Sequence, residues 1–304
     1  MKLTLEHLPA YLAYLFPERS SDEREHIAAT WETQWKSGKR DFNNHFLSLH
    51  SDGSFSAALQ IFPLGALQFG ISLSSRTSQD PQTHVTDILA LLKEACERLV
   101  TLKATRAGFR LTETPWLLPV VAGLPALGFH FSHVRLEFRA QVADLPDDAD
   151  SPFHWKAVRT GGPFDLEFAG NLLDQAASGD PDWDAEDRGL PFLHSYLNEK
   201  EFSSNLDCIH IGSVDGEPAA IAIAQVNPSG WSRLTYMGLI PKFRGRGLGR
   251  WVHRHGFAMM KAQEGIDYFG GTVQGNTPMV ALFLKHACEP YRTLQQWFWE
   301  PNSQ

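Results

Sequence analysis

Along the second half of the chain, short apolar runs of strand length alternate with stretches whose apolar positions recur every three or four residues. They predict a strand at 153–158, a helix at 164–175, an acidic loop, and a further helix at 191–198. Strands at 207–212, 219–226 and 232–239 follow. After them come a glycine-rich turn, a helix ending near 263, a strand at 267–273, a helix at 278–286 and a last strand at 294–300. Hairpin-like strands placed before one helical crossover predict an α+β fold, a mixed and mostly antiparallel sheet flanked by helices, and exclude a doubly wound parallel sheet.

The same order recurs in the first half. Shifting the chain by 160 residues lays RLVTLKATRAGFRL on AMMKAQEGIDYFGG, with Phe109 on Phe269 and, further on, Phe138 on Phe298. LSLHSDGSFSAALQIF resembles IHIGSVDGEPAAIAIAQV. Asp52-Gly53 and Asp215-Gly216 each read as the turn of a hairpin, and Gly70 in LQFGISL matches Gly238 in TYMGLIP. The segment 142–152, VADLPDDADSP, has no periodicity and reads as a linker. The expected organisation is therefore two tandem domains, 1–148 and 149–304, which suits a length of 304 residues.

Composition narrows the function. A net charge of −8 and a pI near 5.9 argue against nucleic acid as a partner, because a phosphate polymer needs a broad basic face. The N-terminal apolar run is interrupted by Glu6, His7 and Pro9, so the expectation is no signal peptide, no membrane partner and a cytoplasmic location. Cys96, Cys208 and Cys288 lie far apart without paired spacing, which predicts reduced thiols and no zinc site. His253 and His255 are two apart on a predicted helix and face different sides, so no metal is expected there either.

Against this acidic background the stretch IPKFRGRGLGRWVHRHGF is locally basic. Lys242, Arg244, Arg246, Arg250 and Arg254 fall within thirteen residues with no acid among them. A strand precedes the turn. The helix that follows has apolar or aromatic positions at Leu248, Trp251, Val252, His255 and Met259, spaced for one buried face. The turn then exposes helix N-terminal amides, and Gly245, Gly247 and Gly249 clear side chains from the backbone, the makings of a pyrophosphate site. A nucleoside triphosphate loop is excluded, since Gly249-Arg250-Trp251 offers no Gly-Lys-Ser/Thr, and the third glycine comes one step too soon for a dinucleotide fingerprint. An arginine-rich surface turn is the plain alternative.

LIPKFRGRGLG resembles the signature of the GNAT superfamily of acyl-CoA-dependent N-acyltransferases, whose core is Arg/Gln-x-x-Gly-x-Gly/Ala, here Arg244, Gly247 and Gly249. The resemblance continues through VQGNTPMVALFLKHA, and the tandem arrangement is similar to that of two-domain members. It implies two tandem GNAT-like domains, the first degenerate: HVTDIL, 84–89, stands where the loop should be and has no glycine. It also implies acetyl-CoA or another acyl-CoA as co-substrate, with no metal. Leu239 and Ile240 would pair with pantetheine through their backbone, and the amides of Arg244, Gly245, Arg246, Gly247, Leu248 and Gly249 would hold the pyrophosphate. Asn276 would reach the pantetheine arm, or else be a loop residue beside a helix capped by Thr277.

What the resemblance implies about chemistry is less complete. Many members carry a tyrosine acid seven residues after the asparagine, and Phe283 stands at that position. Tyr291, water, or unassisted departure of the thiolate remain as substitutes. No base stands out at Arg233 or Thr235, where members often carry one, although Arg233 has the chemistry to hold a carboxylate. The segment 174–187 holds six acids, which suits a cationic acceptor or is simply solvated. The expected activity is transfer of an acetyl or short acyl group to an amine of a small molecule or peptide by direct attack. A non-catalytic acyl-CoA-binding regulatory module is the alternative.

Overall fold

A computed structural model of the chain describes residues 3–49, 53–64, 67–75, 81–183, 188–198, 202 and 205–301. They form two compact units, one of Met1–His133 with Leu294–Gln304 and one of Val134–Thr293. Elements are numbered in chain order.

In the first unit, α1 (Leu8–Leu15) and α2 (Ser21–Lys36) precede the strands β1 (His45–Leu49), β2 (Phe55–Pro63) and β3 (Gln68–Ser75). Then come α3 (Pro81–Thr101), β4 (Arg106–Thr112), α4 (Leu118–Gly123) and the start of β5 (Phe129–Gln141). A Ser20–Glu23 capping box starts α2, each side chain satisfying the other's backbone amide. Strands β1, β2 and β3 pair antiparallel, β3 and β4 pair parallel, and β4 is flanked by residues 294–299 of β11 (Glu289–Trp299). Leu59, Ile88, Leu92, Phe109 and Trp297 meet in its core.

The second unit contains β6 (His154–Ala157), α5 (Leu166–Ala177), α6 (Gly189–Leu197), β7 (Ile209–Val214), β8 (Glu217–Val226) and β9 (Trp231–Leu239). It continues with α7 (Gly249–Ala262), β10 (Asp267–Val273) and α8 (Thr277–Lys285). Its strand order is β5-β10-β9-β8-β7-β6, antiparallel except where β9 and β10 run parallel. The fold is α+β with a mostly antiparallel sheet, as the hydrophobic pattern predicts. Ala219 to Ala224 of β8 are fully buried, as a central strand covered on both faces requires. Asp215 and Gly216 both have positive φ, 52° and 81°, the hairpin turn expected of that pair. Asp52, its counterpart, lies outside the described residues.

The units differ from the division at 148/149 in two strands. Residues 135–141 of β5 hydrogen-bond to β10, and residues 294–299 of β11 hydrogen-bond to β4. A sheet recruits strands by unpaired edges, without regard to chain order, so each unit closes with a strand that sequence order assigns to the other. Two further readings change. By the parallel registers, Gly70 stands beside Gly108 and Ser232 beside Tyr268, so Gly70 corresponds to Ser232 and not to Gly238. The stretch 142–152 is docked, not free: Val142 and Leu145 are buried, and the Lys261 ammonium donates to the Leu145 carbonyl and to Asp147.

Candidate functional site

The glycine-rich turn sits at the end of β9. Ile240 donates its amide to Ala219 of β8 at 3.0 Å, so the backbone of Leu239, one residue earlier, faces away from β8. Phe243 is buried and anchors the turn. Gly245 and Gly247 have φ of 72° and 70°, a region that disfavours side chains, and nothing lies within 4 Å of where a Cβ would stand at either. Among the described residues, the amides of Gly245, Arg246, Gly247, Leu248, Gly249 and Arg250 donate to no backbone carbonyl. They crowd the N-terminus of α7, so this open backbone has both the donors and the dipole to hold an anion.

Arg244 does different work from the amides after it. Its amide donates to Pro241, and its guanidinium donates to the carbonyls of Leu239, Ser178 and Ala176 at 2.9, 2.8 and 2.7 Å. It satisfies the C-terminal carbonyls of α5 and fixes the end of β9 beside them. Lys242 is ion-paired with Glu217, Arg246 lies over the Phe243 ring, and Arg250 and Arg254 flank Trp251.

A cleft opens where β9 leaves β10. The two strands pair only at Trp231–Asp267 and Ser232–Tyr268. Beyond that, Tyr236 and Leu234 oppose the adjacent residues Ile223 and Ala224 of β8, leaving Thr235 as the extra residue of a bulge that bends β9. Gly256 lets α7 lie close on β9, since a Cβ there would collide with Leu234. The outer part of the cleft, about 380 Å³, runs from Gly249 between Met237–Leu239 of β9 and Gly275, Asn276 and Met279. The inner part, about 190 Å³, is lined by Asp180, Tyr236, Tyr268, Gly270 and Phe283; Asp180, Met237, Asn276 and Met279 line both parts.

Two carboxylates at the cleft have different duties. Asp182 accepts from the Thr272 hydroxyl, the Val273 amide at 2.8 Å and the Asn276 side chain at 2.9 Å, and it pairs with Arg135 at 3.1 Å. It is saturated and holds its loop against β10. Asp180 accepts from the Asp182 amide at 2.9 Å and from the Tyr236 hydroxyl at 3.3 Å. Burial raises its pKa above the usual carboxylate range, and burial likewise pushes the Tyr236 phenol well above its own. Asp180 thus keeps lone-pair capacity inside the cleft and has the raised basicity of a proton acceptor.

Of the residues singled out from sequence, Leu239, Arg244, Gly249, Asn276 and Phe283 line the cleft, and Ile240 spends its amide on β8. Asn276 itself caps α8, accepting from the Met279 amide, so Thr277 is the first helical residue and not the cap. Phe283 is buried and stacked on Phe138 with ring centroids 4.4 Å apart. Arg233 and Thr235 both donate to the buried Gln225 at 2.7 Å, and Tyr291 lies against Phe269, outside the cleft lining. His253 and His255 belong to separate networks, His253 with Tyr268 and His286, His255 with His210 and Asp148. Within the acidic segment, 184–187 lie outside the described residues. Residues 84–89 are interior to α3 and form no loop. Sequence reasoning missed Asp180, Tyr236 and Tyr268; the one available signal was an acid set apart by glycine and proline just after a buried helix.

Residues 176–287 match the model of the acetyltransferase (GNAT) family, and so span the loop, the cleft and Asp180. No curated protein matches the chain significantly. Among solved structures, the chain is similar to a GCN5-related N-acetyltransferase from Sphaerobacter thermophilus, with a TM-score of 0.67, 12% identity, and coverage of 98% of this chain and 94% of that one. It is also similar to a tandem GNAT protein from the clavulanic acid biosynthesis pathway (TM-score 0.54, 16% identity, 84% and 82% coverage). A third is a GCN5-related N-acetyltransferase from Kribbella flavida (TM-score 0.55, 14% identity, 81% and 87% coverage). Residues 176–287 therefore match the GNAT acetyltransferase family, in a chain whose fold is that of GNAT proteins, tandem members among them.

Proposed function

We propose that the second unit transfers an acetyl or other short acyl group from CoA to a primary amine, by direct attack of the amine on the thioester. The observation that carries this is the cleft between β9 and β10, with open amides at its outer end and the raised-pKa carboxylate of Asp180 at its inner end. The amides of 245–250 would receive the pyrophosphate, and the outward-facing backbone of Leu239 would pair with pantetheine as an added strand. Asp180 would accept the proton that the amine loses, and a carboxylate there favours a cationic acceptor, a small molecule or a peptide amine.

Titration calorimetry with acetyl-CoA tests the reading, beside a Gly247→Glu variant that places a carboxylate in the cradle at a glycine-only φ. We expect one site in the wild type and at least a hundredfold weaker binding in the variant, followed by thiol release when amines are added. Absence of binding at millimolar acetyl-CoA would sink the proposal. Phe283, at the position of the usual acid, favours a second reading in which the unit binds acyl-CoA without turnover; binding with no thiol release for any amine selects it.

A further inference from the structure

The thiolate that leaves in acyl transfer takes up a proton, and Phe283 has none to give. Tyr268 lies beside it. A Cβ on Gly270 would collide with both the Tyr268 hydroxyl and Cε1 of Phe283, so the absence of a side chain at this glycine leaves room for both groups beside it. The two rings are 6.4 Å apart, inclined by 24°, and both line the inner cleft. We propose, on the acyl-transfer reading above, that Tyr268 protonates the leaving thiolate in place of a phenol at 283, its hydroxyl turned toward the cleft by His253 and His286.

Three buried groups form a chain behind the cleft: the Tyr268 hydroxyl is 3.3 Å from Nε2 of His253, and Nδ1 of His253 is 3.0 Å from Nδ1 of His286. Only one proton fits each contact, so with both rings neutral there are two arrangements. In one, Tyr268 donates to His253, His253 to His286, and His286 carries its single N–H proton on Nε2. That atom is buried and has no hydrogen-bond partner among the described residues, and the positive charges of Arg254 and Lys285 act on the ring. A buried N–H without an acceptor, near two cations, is worse than a lone pair there. The second arrangement avoids it. His286 carries its proton on Nδ1 and donates to His253, and His253 donates from Nε2 to the Tyr268 oxygen, leaving the phenolic hydrogen to point into the cleft.

Burial keeps the participants in these states. It holds the Tyr268 phenol far above its ordinary pKa, holds His253 well below its own, and pushes His286 down to about 4. Tyr236, the other phenol in the cleft, donates to Asp180, and a proton held by a carboxylate is poorly placed for a thiolate. The step balances as follows. The amine nitrogen bonds to the carbonyl carbon as the C–S bond breaks, and its electron pair leaves on sulfur. Tyr268 gives its hydrogen to that sulfur, and the phenolate is met by the Nε2–H of His253. The amine's surplus proton passes to Asp180 and then to water; Tyr268 regains one from water when the products have left.

The test uses acetyl-CoA with spermidine, ethanolamine and a tripeptide, following thiol release. Tyr268→Phe should lower kcat roughly ten- to a hundredfold with the KM for acetyl-CoA within about twofold. Adding Phe283→Tyr to that variant should restore at least about tenfold, a rescue that a packing role for Tyr268 does not predict. Independently of turnover, imidazole ¹H–¹⁵N correlation spectra should place the proton of His253 on Nε2 and that of His286 on Nδ1. A Tyr268→Phe enzyme with unchanged kcat, or His253 protonated on Nδ1 with Nε2 bare, overturns the proposal. Wild-type protein that releases no thiol with any amine fails the acyl-transfer reading itself, a result distinct from a working wild type indifferent to Tyr268.

Discussion

The two units carry the same parallel strand pair and treat it differently. In the first, β3 and β4 stay paired over four positions, from Gln68–Arg106 to Ile71–Phe109, and β2 against β3 runs without a register shift. In the second, β9 and β10 pair at two positions and part, and β8 against β9 shifts register at Thr235. One extra residue and a bend make the difference between a closed sheet and a cleft. The helix after the strand differs as well: α7 starts from a turn with two left-handed glycines, whereas α3 starts at Pro81. A repeated fold supplies the frame, and a local irregularity supplies a place for chemistry.

That comparison can be broken most forcefully at Asp180. Asp180→Asn should lower kcat by roughly 10² to 10⁴ while leaving acetyl-CoA affinity intact. The base must be ionised, so wild-type activity should rise with pH through a pKa above that of an exposed aspartate, and the variant should lose that limb. A flat wild-type profile between pH 4 and 8 would remove Asp180 from the role.

Acid should separate the units next. Burial pushes His210 and His286 of the second unit and His45 of the first down to about 4, from 6.5, and holds His253 and His255 of the second below their ordinary value. A histidine with a depressed folded pKa contributes its full stability above 6.5 and loses it as pH falls toward 4. At pH 5 each of the three at about 4 loses about 2 kcal/mol. Hydrogen exchange at pH 7 and pH 5 should therefore show the larger loss of protection in the second unit; equal losses would contradict the assignment.

Packing beside the cleft gives a smaller effect. Gly256→Ala drives a methyl into Leu234 and should destabilise the second unit by about 1–3 kcal/mol, read as a lower Tm and faster exchange in β9. Smallest is Arg246→Gln. Its side chain is exposed beside the open amides, and acetyl-CoA binding should weaken only about three- to fivefold and grow less salt-sensitive.

Much of the frame was legible in the chain. The order of elements in the second half, the Asp215-Gly216 hairpin and the glycine-rich turn follow from periodicity and from residues that tolerate positive φ. Arg244 was legible as important but not in its task, because nothing local announces that a guanidinium will meet the carbonyls of Ala176, Ser178 and Leu239, at the ends of α5 and β9. Asp180 was hidden among five other acids, since solvated and buried carboxylates look alike until a sheet and a helix close around one of them.

The sequence by itself determined the local structure, the twofold recurrence and the place of a glycine-rich turn with open amides, since each depends on neighbours a few residues apart. Tertiary structure alone decided which strand completes which unit, where β9 leaves β10, and which polar groups share the cleft. Those outcomes depend on hydrogen bonds between residues far apart, such as Tyr236 with Asp180 and His253 with His286, and on burial that no short window of sequence reports.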